Sequence, residues 1–254
     1  MTLPRTPSFR LDGRRALVAG ASSGIGAACA VALAEQGAEV TICARRESEL
    51  QALAEEMKAE GWQAEILPLD ITDLAATEGA VAARPAFDVL VNSAGLARRS
   101  PAVDTTPEDY DAVTKLNVRA AYFLTRSVAK GLLAAGKPGS LINITSQMAH
   151  VGGIDRAVYS ATKHAVEGMT KSMAIEWGPH GIRVNTIAPT FIRTALTAQT
   201  FANPERAAWI ASKIKLGRVG EVEDIMGAVA FLASDAAALV TGTSLVVDGG
   251  WTAD

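Results

Sequence analysis

The chain has 254 residues, with 24 Lys and Arg against 27 Asp and Glu (net charge −3), and 49% of its residues are hydrophobic. That is enough apolar material for one core of an undivided α/β domain, and too much for a disordered polymer. Balanced charge without runs of one sign argues against nucleic acid or anionic membrane as a partner.

No apolar run reaches the roughly 20 residues of a membrane span. Met1–Arg10 carries two prolines and no apolar stretch, unlike a signal peptide, so a cytoplasmic protein is expected. Cys29 and Cys43 lack metal-ligand or redox spacing and read as buried packing residues; no metal is predicted.

The first predicted strand, Ala16–Ala19, runs into Gly20-Ala21-Ser22-Ser23-Gly24-Ile25-Gly26 and then a helical stretch, Ala27–Gln36. Glycines between a strand and a helix let the backbone approach a pyrophosphate at the positive helix N-terminus. The second strand, Glu39–Cys43, ends at Ala44, where an NAD-selective fold would carry an acid for the ribose 2′-hydroxyl. Arg45 and Arg46 follow and suit a 2′-phosphate, so NADP is expected over NAD; two solvated arginines opening the next helix are the alternative.

The third strand, Ala64–Leu69, leads to Asp70 and Ile71, with Asp70 either an acceptor for the adenine amino group or a helix N-cap. Val89–Asn92, the fourth, precedes Ser93-Ala94-Gly95. Asn117 then sits inside a helical stretch, where asparagine is intrinsically unfavourable. A fifth strand, Ser140–Thr145, delivers Ser146 to the carboxyl edge of the sheet, where open α/β folds bind ligands.

Tyr159 and Lys163 are four apart and so share a helix face, where the ammonium would favour the phenolate. The sixth strand, Arg183–Ile187, precedes Thr190–Leu216, a segment with no strong period that reads as a substrate-covering flap. A helix beginning near Glu221 and the strand Ser244–Val247 complete the chain. Alternation of strands and helices implies a single α/β domain built on a seven-stranded, doubly wound parallel sheet.

The Gly20/Gly24/Gly26 turn, Asn92-Ser93-Ala94-Gly95, Asn117, Ser146, Tyr159/Lys163 and the closing Val246-Val247-Asp248-Gly249-Gly250 occur in the order of the short-chain dehydrogenases/reductases. The chain resembles that family from Leu11 to Trp251. The resemblance implies a Rossmann-type fold and an NAD(P)-dependent oxidoreductase that moves a hydride between nicotinamide and an alcohol or ketone.

It further implies Tyr159 as acid or base, Ser146 as holder of the substrate oxygen, Lys163 on the phenol and the nicotinamide ribose, and Asn117 on a connecting water. Cofactor contacts are implied at Gly20, Ser22, Ser23, Gly24, Ile25, Gly26, Arg45, Arg46, Asp70, Ile71, Asn92, Ala94, Gly95, Pro189, Ile192 and Thr194. A homotetramer or dimer, through the helices after strands four and five and through the C-terminal strand with Trp251, is also implied.

Ala19, Ser93 and Thr190 depart from the family pattern of threonine, asparagine and glycine at these places. Candidate substrate contacts are Ser146, Gln147, Met148, His150, Thr190 and Trp209; the polar ones, with Arg156 before Tyr159, suggest a small hydroxylated molecule, a sugar, sugar acid or polyol. Met148, Phe191, Ala195, Leu196 and Trp209 are the apolar residues that oppose that reading. His164 reads as structural. The alternatives are a 3-oxoacyl-carrier-protein reductase or broad carbonyl reductase, for which Arg98, Arg99 and Arg156 would have to lie at the pocket mouth, and a nucleotide-sensing protein without chemistry.

Overall fold

A computed structural model describes residues 3–195 and 197–253. Seven strands alternate with helices: β1 (Arg15–Ala19), β2 (Glu39–Ala44), β3 (Ala64–Pro68), β4 (Val89–Asn92), β5 (Gly139–Ile144), β6 (Ile182–Pro189) and β7 (Ser244–Val247). They form one sheet in the order β3-β2-β1-β4-β5-β6-β7, and every pairing is parallel. The predicted strands correspond one to one, with ends that differ by up to two residues.

Near-continuous apolar strands are what a sheet covered on both faces requires, and alternate side chains feed two separate cores. Val18, Ile42, Val91 and Ile142 pack into one, against Leu33 of α1 (Gly24–Glu35) and Ile225, Val229 and Leu232 of a late helix, Glu223–Ala233. Leu17, Leu90, Leu141 and Val184 enter the other. There they meet Leu124, Val128 and Leu132 of the helix Ala121–Ala135, and Met173 of the helix Ala157–Trp177. Both cysteines are buried, and burial pushes each thiol up to about 12.

Between α1 and these helices lie α2 (Glu47–Ala59), α3 (Leu74–Ala82) and α4 (Pro107–Thr114), so Ala121–Ala135 is α5 and Ala157–Trp177 is α6. The Thr190–Leu216 segment is more regular than its sequence suggested. It contains α7 (Ala198–Phe201) and α8 (Pro204–Lys213), ahead of α9 (Glu223–Ala233). Asn203 caps α8 by accepting the Arg206 N–H at 2.9 Å, with Pro204 in the first turn. Ile210, Ile214 and Val219 form a third cluster under this segment, joined by Phe191, Phe201 and Trp251. Leu196 lies outside the described residues. Among the described residues no helix is long and apolar enough to cross a membrane.

Candidate active site

Strand order reverses between β1 and β4, the place where doubly wound sheets open a crevice at their carboxyl edge. The glycine turn fills one side of it. Gly20 has φ +78°, and a Cβ there would lie 2.6 Å from the Ala94 nitrogen. Gly26 fits only because its missing Cβ would lie 2.1 Å from the Gly20 carbonyl oxygen. The turn therefore packs backbone to backbone, a cradle shaped for a pyrophosphate rather than for side chains.

Ser23 precedes α1 without capping it by its side chain. Instead, Arg46 donates from Nη2 to Ser22 Oγ (2.9 Å) and Ser23 Oγ (3.2 Å), so one of the two predicted arginines reaches the glycine turn. Arg45 is exposed and acts electrostatically on Asp70. Asp70 is not the helix cap considered from sequence. Asp73 takes that role, accepting the Ala76 N–H at 3.0 Å, while Asp70 accepts the Thr72 N–H at 2.9 Å. That bond, first among several causes, holds the Asp70 carboxyl below its usual range.

Of the other predicted cofactor residues, Ile71 is core. Asn92 braces the turn after β4: it donates to Asn143 Oδ1 at 3.0 Å and accepts the Ala94 N–H at 3.2 Å. Pro189 ends β6, and Ile192 bridges to Gly220. Thr194 lies over the glycine turn, its Cγ2 3.2 Å from where a Gly24 Cβ would stand. The backbone of the cradle and the loop after β6 thus meet from opposite sides.

The polar group after β5 assembles beside it. Ser146, 9% exposed, accepts the Met148 N–H at 3.1 Å, and its hydroxyl lies close enough to act on the Tyr159 phenol. Lys163 Nζ donates to the Ile144 carbonyl at 2.9 Å and stands 5.6 Å from the Tyr159 ring centroid. Asn117 occupies a π-helical turn, Lys115–Ala120, between α4 and α5. The wider turn aims its amide at the strand-4 loop: Oδ1 accepts the Leu96 N–H (2.8 Å), and Nδ2 donates to the Leu96 carbonyl (2.8 Å) and to Thr162 Oγ1 (3.1 Å).

The electrostatics differ from the sequence expectation in one respect. Burial pushes the Tyr159 phenol above its ordinary value, against the downward pull of the Ser146 hydroxyl and the Arg156 charge. Burial also brings Lys163 down to about 8, and the nearby Glu167 carboxylate partly offsets that fall. An ammonium so desolvated is poised near neutral pH rather than permanently charged.

Glu167 was not singled out from the sequence. Its carboxylate, one turn beyond Lys163 on α6, accepts hydroxyls from three neighbouring strand ends. Thr145 and Thr186 reach it at 2.7 Å, and Ser244 at 3.0 Å. The i, i+4 spacing from Lys163 was the available signal.

A cavity of about 460 Å³, within the range of small-molecule sites, opens beside Tyr159. Ser146, Gln147, Met148, Thr190 and Phe191 line it, together with Arg98, Arg99 and Arg156. Two residues predicted for substrate lie elsewhere. His150 hydrogen-bonds Ser244 at 2.9 Å, behind β5, and Trp209 stacks edge-on against Trp251 at 5.6 Å. His164, at the Ser160 carbonyl (2.9 Å), also lies outside the cavity lining. Thr197, Gln199 and Thr200 line the cavity from the segment after β6, a contribution hidden in a stretch without strong periodicity.

Residues 20–252 match the family described as enoyl-(acyl-carrier-protein) reductase, a branch of the short-chain dehydrogenases/reductases. The chain belongs to the short-chain dehydrogenase/reductase family. It is 41% identical over 245 residues to a D-erythrulose reductase from Gallus gallus, covering 96% of this chain and 98% of the relative. It is 39% identical over 248 residues to a gluconate 5-dehydrogenase from Gluconobacter oxydans, covering 96% of each. A gluconate 5-dehydrogenase from Burkholderia cenocepacia, solved with NADP and tartrate, superposes with a TM-score of 0.93 at 37% identity, covering 97% of this chain and 98% of that one. Like these relatives, the chain is an oxidoreductase acting on hydroxyl and keto groups.

Proposed function

We propose that the protein is an NADP-preferring oxidoreductase that interconverts a secondary alcohol and a ketone on a small hydroxylated carbon chain. The observation that carries this is the placement of Ser146 and Tyr159 on the wall of a polar cavity, beside a backbone cradle shaped for a dinucleotide. NADP held there supplies or accepts the hydride. The chain's own residues do the rest. Ser146 orients the substrate oxygen, Tyr159 gives or takes its proton, Lys163 sets the field at the phenol, and Asn117 fixes the loop that carries Leu96.

Gln147 and Thr190 support a hydroxylated substrate. Nε2 of the one and Oγ1 of the other are buried at the cavity wall and have no hydrogen-bond partner among the described residues. An apolar substrate would leave them so, whereas a hydroxylated one satisfies them. The relatives' sugar and sugar-acid substrates, and the NADP and tartrate bound by the Burkholderia protein, point the same way. Arg46 on the glycine turn supports the preference for a 2′-phosphate.

Assembly through α5 and α6 is supported by exposed Tyr122, Leu133 and Ile175, and sedimentation at micromolar concentration should show a tetramer or dimer. A carrier-protein reductase gains one observation, because Arg98, Arg99 and Arg156 do stand at the cavity.

Absorbance at 340 nm tests the readings, with both cofactors against polyols, ketoses, aldonates and acetoacetyl thioesters. Turnover of a hydroxylated small molecule, with Tyr159→Phe slower by about 10²–10⁴-fold at little change in cofactor affinity, is the expected result. Turnover of the thioester alone would select the second reading.

A further inference from the structure

We propose that the cavity contains an oxyanion subsite centred on Arg156, so that the preferred substrate carries a carboxylate or phosphate at the end remote from the reacting carbon. This rests on the reading of the cavity as a site for a small hydroxylated chain. It goes beyond that reading by choosing the anionic members of the class.

Two segments line the subsite and a third stands close by. Arg156 opens α6 three residues before Tyr159, is partly buried, and holds its guanidinium carbon 5.7 Å from the tyrosine ring centroid. Arg98 and Arg99 come from the loop after β4 and line the same wall. Arg206 of α8 lies outside the cavity lining but close enough for Asp155 and Arg99 to act on its charge. Among the described residues two carboxylates answer these guanidiniums: Asp109, itself on the cavity lining, stands 3.6 Å from Arg98, and Asp155 stands 3.9 Å from Arg99 and acts on Arg156 and Arg206 as well.

Arg156 has no ion pair among those the described residues form, and burial and then Arg99 depress its affinity for a proton. Tyr159 and Asp155 offset this only in part, and partly buried positive charge left in excess beside a cavity favours a ligand that neutralises it.

The neutral groups agree with the charges. Gln147 is 1% exposed and presents an unpartnered Nε2 donor, and Arg206 Nε is likewise buried without a partner among the described residues. Forked donors beside an amide N–H donor match the geometry of carboxylate and phosphate oxygens. Tyr159 and Ser146 lie on the same cavity wall, so an oxyanion on Arg156 leaves the other end of a short polyol chain at the reacting hydroxyl. A neutral polyol would strand the guanidiniums, which is the basis for discrimination.

The experiment is calorimetric titration of the enzyme saturated with NADP, so that the 2′-phosphate site is filled, with two matched pairs of probes. Tartrate and threitol share a four-carbon diol core and differ in their terminal carboxylates. Glycerol 3-phosphate and glycerol do the same for phosphate. We expect one anionic probe to bind at least tenfold tighter than its neutral partner, and Arg156→Gln to remove most of that preference while the neutral probe changes less. Arg99→Gln, at a more exposed position, should reduce the same preference and serves if Arg156→Gln does not fold.

The tighter pair identifies carboxylate or phosphate. Equal binding within both pairs, or equal weakening of anion and neutral probe in the variants, would overturn the subsite. Because binding is read without turnover, this failure is distinct from failure of the proposed activity, which would appear as no reduction of any hydroxylated carbonyl by wild-type enzyme.

Discussion

At the residue scale the central quantity is the charge on Lys163. Its folded value near 8 lies below the ordinary 10.5, so folding disfavours the proton. Between those two values the unfolded chain binds more protons than the native one, and stability contributed by this group rises with pH across that window. Relative to Lys163→Met, wild-type protein should therefore gain melting temperature from about pH 8 to 10.5 and show no such relative gain below pH 7. A constant difference across the whole range would mean that Lys163 titrates normally. Arg46 makes the second prediction. It sits on Ser22 and Ser23 yet is largely exposed, so Arg46→Ala should weaken NADP relative to NAD by about 1–2 kcal/mol, read as the ratio of their Kd values.

At the scale of elements, tight backbone packing makes the glycine turn intolerant of side chains. Gly26→Ala must displace the Gly20 carbonyl, so cofactor binding should be lost in a fluorescence titration while the far-ultraviolet circular dichroism remains native. The π-helical turn is equally specific: Asn117 satisfies both backbone groups of Leu96. Asn117→Ala should cost about 1–3 kcal/mol in denaturant unfolding, because it strands those groups in a partly buried loop.

The turn itself was not legible in the sequence, which showed only an asparagine misplaced in a helix, whereas Tyr159 and Lys163 followed directly from helical spacing. Sequence offers His150 to substrate because it follows Ser146, and Trp209 as an apolar residue of the segment after β6. The backbone after Ser146 turns His150 toward Ser244, and Trp209 faces a small cluster of its own, directions that no one-dimensional pattern carries.

At the scale of the whole molecule, the sheet was legible because its strands are apolar on both faces and alternate with amphipathic or alanine-rich helices, so that sequence order nearly dictates spatial order. The helices inside the Thr190–Leu216 segment were not, since they are short and the residues of their cluster, Phe191 and Trp251 among them, are far apart in the chain. That separate cluster has an optical consequence. Of four tryptophans, Trp209 rides on α8 and Trp251 on the C-terminal turn, with their rings 5.6 Å apart at 79°. If the segment acts as the proposed flap, its movement would change the overlap and quenching of this pair. The pair is thus a built-in reporter of the proposed flap: stopped-flow emission should resolve a phase that Trp209→Phe erases while leaving the rate of hydride transfer intact.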